Sequence, residues 1–328
     1  MIRKTLRITL FVLLLASLSI ASIQAQEADN PIIFEFTEEP VVRHGERGDW
    51  DGRHTSAGAV IYHDDQFHMF RNGYQGWPLP SQFGYMVSDD GINWTEVQEE
   101  PVFTHEQIPV DVRLALLTSV LIEDDGTWVF YFTLWPENDT NRPSGIIRAT
   151  ADSPTGTWDI DDTLVIQPGE EGAWDAGFIG MSTVLKTEDG YVMYYSGNDD
   201  EAWAIGRATS EDGITWIKDE DPILTREQEW EEAMQDARVV QTEQGYVMLY
   251  NSGTGNYNFA TSLDGITWER IQDTPIIPRS TFQRTPWLPT LAYHDGTYFA
   301  YIERDALRGT DIYAGTYTGD MIAITEAE

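Results

Sequence analysis

Three aspartates raise the question of chemistry. The stretch "WDAGFIGMSTVLKTEDGYVMYYSG" (174–197) lies on "WDGRHTSAGAVIYHDDQFHMFRNG" (50–73) without a gap, so Asp175 falls on Asp51. "DVRLALLTSVLIEDDGTWVFYFT" (111–133) puts Asp111 at the same point. "WEEAMQDARVVQTEQGYVMLYNSG" (230–253) fits with a one-residue slip, offers Glu231 or Glu232 there, and adds Asp236. Carboxylates at one offset before equivalent strands would lie at one height around a common axis. Crowded into one pocket, at least one would hold its proton. That one could act as a general acid, leaving another as base or nucleophile. The candidate catalytic set is therefore Asp51, Asp175, Glu231, Glu232 and Asp236. A repeated Trp-Asp can equally cap each entering loop, which is a structural role.

Basic and aromatic residues surround this set. Arg53 and Arg113 align directly, and Arg284 of "RTPWLPTLAYHDGTYFAYIERD" (284–305) falls in the same register. Guanidinium groups near one axis suit a carboxylated sugar, or they neutralise an acidic ring. His54 stands beside Arg53, and Arg238 reads as the ion-pair partner of Asp236. Trp77, Trp135, Trp203 and Trp287, with Tyr74 and Tyr257, fall in the loops or segments expected at one rim. Aromatic faces beside hydrogen-bonding groups suit sugar rings, though the same rings can pack between repeats. The candidate binding set is Arg53, His54, Asp111, Arg113, Arg284, Trp287, Trp77, Trp135 and Trp203. No metal-ligand set is expected.

The elements that must position these residues are repeats. An anchor recurs at Val60, Val120, Val184, Val239 and Leu291, a spacing of roughly 50–65 residues that suits a four-stranded unit. Each repeat has a short apolar strand, a turn such as "TEDG", and an alternating aromatic strand such as "YVMYYSG". A variable loop, a third strand and a closing phrase follow: "SDDGINW" (88–94), "SEDGITW" (210–216) or "SLDGITW" (262–268). The period is two and turn residues sit at the breaks, so these are strands. In the phrase, Asp accepts backbone N–H groups, Gly supplies positive φ, and Trp begins the fourth strand. Its role is structural. Radially arranged four-stranded antiparallel sheets make an all-β propeller. Five copies predict five blades over residues 26–328, with "PIIFEF" (31–36) pairing with the last blade.

"YVMYYSG" and "IGRATSEDGITW" resemble the five-bladed glycosidases, namely glycoside hydrolase families 43 and 32 with their arabinanase, xylosidase and invertase relatives. The resemblance spans nearly the whole chain after its first residues. It implies a carboxylate-lined central funnel and hydrolysis of glycosidic bonds. Those families place an Asp just before the first strand of the opening blade. Here that place holds Ala57, and the next blades hold Leu117 and Met181; only the fourth keeps an Asp, Asp236. The family's catalytic set therefore does not transfer position by position. A glycosidase with a different carboxylate set, a non-catalytic carbohydrate-binding propeller and a protein-interaction propeller all remain open.

Charge and targeting narrow the partners. The chain carries 55 Asp and Glu against 20 Lys and Arg, a net charge of −35. Such a surface repels nucleic acid and anionic membranes. It admits a structural Ca2+, although the sequence requires no cofactor. Cysteine is absent, so no disulfide braces the fold. Arg3, Lys4 and Arg7 precede an apolar run from Ile8 to about Ile20, then Ala25. That pattern predicts a signal peptide over 1–25 and a secreted or periplasmic protein, monomeric and free of the membrane after cleavage.

Overall fold

A computed structural model of the chain describes residues 32–76, 80–109, 112–136 and 145–325. Ile32–Glu328 forms one compact unit. Strands dominate it, as the period of two requires. Five inner strands, His54–His63, Val112–Ile122, Phe178–Thr187, Gln235–Gln241 and Pro286–His294, each begin a repeat. Each pairs antiparallel with the strand that follows it: Gln66–Tyr74, Trp128–Pro136, Gly190–Asn198, Tyr246–Asn251 and Thr297–Asp305. A third strand and a short fourth complete the first four repeats.

In the fifth repeat the fourth strand comes from the other end of the chain. Glu35–Phe36 pairs antiparallel with Thr310–Thr318, with Glu35 opposite Thr316 and Phe36 opposite Gly315. The expected pairing of "PIIFEF" with the last repeat is thus found for its final two residues. A single parallel bridge, His54 to Thr310, also joins the fifth repeat to the first in one nine-stranded sheet.

Second strands are apolar on both faces because a sheet packs on each side of them. Phe70 meets Phe130 between the first and second repeats. Tyr131 and Val184 share the next core, and Tyr194 and Met248 the one after. Leu249 and Ala300 lie between the fourth and fifth. Tyr301 and Met69 lie between the fifth and first. The packing therefore returns to where it began. The anchors Val60, Val120, Val184, Val239 and Leu291 line one cavity of about 240 Å³.

The closing phrases act as staples. Asp212 accepts the N–H groups of Ile214 at 2.8 Å and Thr215 at 2.7 Å, and Ser210 Oγ accepts that of Gly213. Gly213, at φ 71°, supplies the left-handed turn. Tyr131, from the preceding repeat, then donates its hydroxyl to the Gly213 carbonyl at 2.9 Å. Tyr194 to Gly265 and Tyr301 to Gly91, both 2.8 Å, repeat this contact. The phrase ends one sheet and docks it on the sheet before.

Candidate functional site

The sequence reading placed Asp51, Asp175 and a fourth-repeat carboxylate in one funnel. The structure instead ties each within its own repeat. Asp51 Oδ2 accepts from Arg71 at 2.5 Å, and Arg71 reaches on to Glu96 at 2.5 Å. Asp175 Oδ2 accepts from Lys218 at 2.7 Å and from Tyr195 at 3.2 Å. Glu231 takes both Arg270 nitrogens at 2.8 and 3.0 Å, the Tyr250 hydroxyl at 2.7 Å and two backbone N–H groups. Arg71, Tyr195 and Tyr250 stand on second strands, and Glu96, Lys218 and Arg270 on short fourth strands. The carboxylates thus face the outer strands of their own sheets, away from the inner ones. No contact brings them to one pocket.

The neighbouring Trp residues explain the register. Trp50 lies under Arg71, with the guanidinium 4.4 Å from its ring, and Trp174 stacks on Tyr195 at 5.6 Å. Gly45 and Gly169 pass so close that a Cβ on either would meet an Asp oxygen at 2.2 Å. The whole entering loop is moulded around the Trp-Asp pair. This is the loop-cap role that the sequence left open.

Asp236 differs. Every inner strand shifts register near its start: between Ala57 and Ala59, Leu117 and Ser119, Gly180 and Thr183, Gln235 and Arg238, and Pro286 and Pro289. Asp236 and Met181 occupy the same point of their bulges, both left-handed, at φ 56° and 52°. The strain is typical of constrained functional segments. Ser196 holds the Asp236 N–H at 2.9 Å, and Asn251 donates to Oδ2 at 3.3 Å. Oδ1 is buried without a hydrogen bond. Burial pushes the Asp236 carboxyl up, against the nearby Arg238 and the Asn251 bond.

Arg238 is a weaker partner for Asp236 than its position suggested, since the closest approach is 3.9 Å. It spends its donors on carbonyls instead. Nη1 reaches Thr118 O at 2.6 Å in the second repeat, and Nε reaches Pro289 O at 3.0 Å in the fifth. The guanidinium thus bridges three repeats beside the cavity of the anchors.

Glu303 was not among the sequence candidates. It stands on the second strand of the fifth repeat, across from the Pro286–Pro289 bulge. The same place holds Asn72, Thr133, Ser196 and Asn251 in the other repeats. Glu303 Oε1 accepts from Thr310 at 2.6 Å and from Tyr74 at 3.3 Å; Oε2 is buried without a hydrogen bond. Burial raises its pKa to about 7, assisted by the charges of Asp305 and Asp236, against the two hydroxyl bonds. An alignment of that column by sequence would have found it, as a single carboxylate among uncharged polar residues.

His54 joins this group. Its ring stacks on Tyr74 at 4.9 Å, and Nδ1 lies 3.2 Å from Thr310 Oγ1. Burial and Arg53 lower its pKa. Trp287 is about half exposed, at 49%, and donates to Asp305 at 2.8 Å. Arg53 is exposed, and exposed Arg284 donates to the Ala306 carbonyl at 3.0 Å. Trp135 is buried against Phe178, so it serves the core; Trp203 is half-buried and also packs on Phe178. Glu232 is exposed and Arg113 half-buried. Asp111 and Trp77 lie outside the described residues. Among the described residues, no group of three or more His, Asp or Glu side chains could hold a metal ion.

The site therefore offers two buried carboxyls with oxygens that accept no hydrogen bond, one of them protonated near neutrality, close to an imidazole and an exposed indole. That is the equipment of general acid–base chemistry. Solved structures share this fold. A solved glycoside hydrolase superposes with TM-score 0.68 at 15% identity, covering 87% of this chain and 92% of that one. A family 117 glycoside hydrolase produced by the marine bacterium Zobellia galactanivorans gives 0.64 at 15%, covering 87% and 90%. A structure from family 130, mannoside phosphorylases that include glycoside hydrolases targeting β-1,2 mannosidic linkages in Candida mannan, gives 0.64 at 16%, covering 88% and 94%. The chain has a glycoside hydrolase-like fold. In sequence it is 24% identical over 250 residues to an uncharacterized protein of Mycobacterium tuberculosis (strain CDC 1551 / Oshkosh), covering 72% of this chain and 79% of that protein. No family model matches the chain.

Proposed function

We propose that this chain is an exported, five-bladed glycosidase-type propeller that hydrolyses a glycosidic bond at the start of its inner strands. Glu303 is the general acid, and Asp236 is the base or nucleophile. The observation that carries this reading is the pair of buried carboxyls, each with an oxygen that accepts no hydrogen bond, at places where the other repeats hold uncharged residues. The cyclic packing supports five blades, with Glu35–Phe36 completing the last. The broad group that includes families 43 and 32 is retained, with a displaced carboxylate set. The apolar run after Arg7 supports a secreted or periplasmic protein.

Ala57, Leu117 and Met181 favour a second reading, a non-catalytic carbohydrate-binding propeller. Hydrolysis assays on arabinan, xylan, fructan, β-mannosides and aryl glycosides separate the two. The expected outcome is turnover that falls about 10²–10⁴-fold in Glu303→Gln and in Asp236→Asn. Binding of sugars with no turnover would select the second reading.

A further inference from the structure

The turn between the second and third strands of the fifth repeat gathers an unusual set of side chains. Asp305 and Thr310 are its ends, since Thr310 pairs with Asp305 across the hairpin. Trp287 donates its ring N–H to Asp305, and Arg284 donates to the Ala306 carbonyl. The Arg53 carbonyl receives the Thr310 N–H at 2.9 Å. Arg308 lies within the turn. Arg53, Arg284, Arg308 and Trp287 are all exposed and all belong to or touch this one hairpin.

In a chain of net charge −35, cations are expected to be consumed by carboxylates, and about half of those among the described residues are. Arg71, Arg148, Arg207, Arg270, Lys186 and Lys218 each have a carboxylate within 4.0 Å. Arg53, Arg284 and Arg308 have none among the described residues, as is true of Arg47, Arg226, Arg279 and Arg304, and the first three share one hairpin. The one carboxylate of the turn, Asp305, is engaged by Trp287. Three exposed arginines thus belong to or contact the same hairpin as an indole that is fixed by its own N–H and left about half open to solvent. The hairpin also carries Glu303 at its base, so the patch adjoins the proposed reaction site.

We infer that this hairpin is a subsite for an acidic sugar, the indole stacking on the ring while Arg53, Arg284 and Arg308 hold its carboxylate or sulfate group. The inference rests on the proposed function and specifies its substrate class. Guanidinium forks match planar carboxylates in two parallel hydrogen bonds and also accept sulfate oxygens. An aromatic face beside polar donors supplies stacking without charge. An acidic protein otherwise repels an acidic glycan, so local positive charge is what would let such a ligand settle here. Glu303, held near 7 mainly by burial, adds little negative charge against it below neutral pH.

Titration calorimetry on the full chain tests this with matched probes: a galacturonate trisaccharide, its methyl ester, a sulfated galactose trisaccharide, and neutral arabinan, xylan and mannan oligosaccharides. The acid is expected to bind at least about 10-fold more tightly than its ester. A preference for the sulfated probe alone would keep the subsite and assign it to sulfate. In the triple variant Arg53→Gln, Arg284→Gln, Arg308→Gln that preference should disappear, while Trp287→Ala weakens acid and ester alike. Unchanged melting temperatures would exclude misfolding. Equal binding of acid and ester, retention of the preference in the triple variant, or binding of neutral probes only would overturn the inference. So would the absence of binding by every charged probe. Glu303→Gln keeps the two proposals apart. Acid preference with turnover unaffected by that change would refute the catalytic assignment and leave the subsite standing. Turnover lost in that variant, with acid and ester bound equally by the wild type, would do the opposite.

Discussion

Two sets of buried carboxylates share the same end of the inner strands and have opposite surroundings. Asp51, Asp175 and Glu231 recur from repeat to repeat, and each is matched by a cation on an outer strand or on the strand beside it. Glu231 is fully satisfied, with five donors on two oxygens. Asp236 and Glu303 break the repeat, and each keeps one oxygen without a hydrogen bond. In a repeat protein, a residue that recurs has a role that recurs, which is usually closing the unit. Only a residue that departs from its column can make one place in the ring unlike the others. The carboxyls with unmet hydrogen-bonding capacity are the ones positioned for chemistry.

The widest gap between the two sets should be kinetic. Glu303→Gln is expected to cost about 10²–10⁴-fold in turnover, whereas Asp175→Asn should leave turnover in the folded protein within a small factor. Stability should move the other way. Glu303 has a folded pKa of about 7, above its usual 4.5. Its native state therefore holds the proton more tightly than the unfolded chain does. Stability is favoured below the unfolded value, declines as pH rises between the two, and is lower above about 7. Removing the group should raise stability at pH 8 by on the order of 3 kcal/mol, with little gain at pH 4. Denaturant melts of wild type and variant at both pH values measure this. A destabilised variant at pH 8 would place Glu303 with the structural set.

Next in size is the loss of a structural carboxylate. Glu231→Ala leaves the buried Arg270 and Tyr250 without their shared partner, since Glu231 itself is fully buried. Breaking such a pair from one side costs about 3–5 kcal/mol. The melting temperature should fall steeply while the folded fraction keeps its activity. Activity lost at full stability would put Glu231 back among the catalysts.

The sequence made the scaffold readable because its signals are local. The closing phrase carries its Asp, Gly and Trp within seven residues, and the anchors needed only one apolar residue per repeat. The partners of the Trp-Asp carboxylates were hidden because each comes from two other strands. In the first repeat the charges are also exchanged. Arg71 stands where Tyr195 and Tyr250 stand, and Glu96 where Lys218 and Arg270 stand, so no charge pattern is shared. Glu303 was hidden in "YIERD", where it reads as an ordinary charged strand end. Its difference appears only when the strand registers are set side by side. Trp135 was legible as an aromatic and not as buried, because Phe178, its cover, belongs to another repeat.

A smaller effect should come from the staples between repeats. Tyr194→Phe removes the hydroxyl that reaches the Gly265 carbonyl and keeps the buried ring. An unmet buried carbonyl costs about 1–3 kcal/mol. The same change at Tyr131 should match it, because Gly213 repeats the geometry. Unequal losses at the two sites, measured by urea melts, would mean that the repeats are not energetically equivalent.

The smallest effect belongs to the phrase itself, and its pH dependence runs opposite to that of Glu303. The backbone N–H groups of Thr215 and Ile214 lead in holding the Asp212 carboxyl down, to about 2 from 3.8. Here the folded state binds the proton less tightly than the unfolded chain. The contribution is complete above the unfolded value near 4 and is lost as pH falls through about 2. Asp212 is exposed, so water competes for the same bonds and the stabilisation is modest. Asp212→Ala should lower the melting temperature at pH 6 by about 2 °C or less, and the difference from wild type should shrink toward zero at pH 2. A difference that persisted at pH 2 would mean that the neutral side chain, through its shape and its contact with Ser210, does what is assigned here to the carboxylate. In that case the column would be conserving a turn geometry rather than a charge.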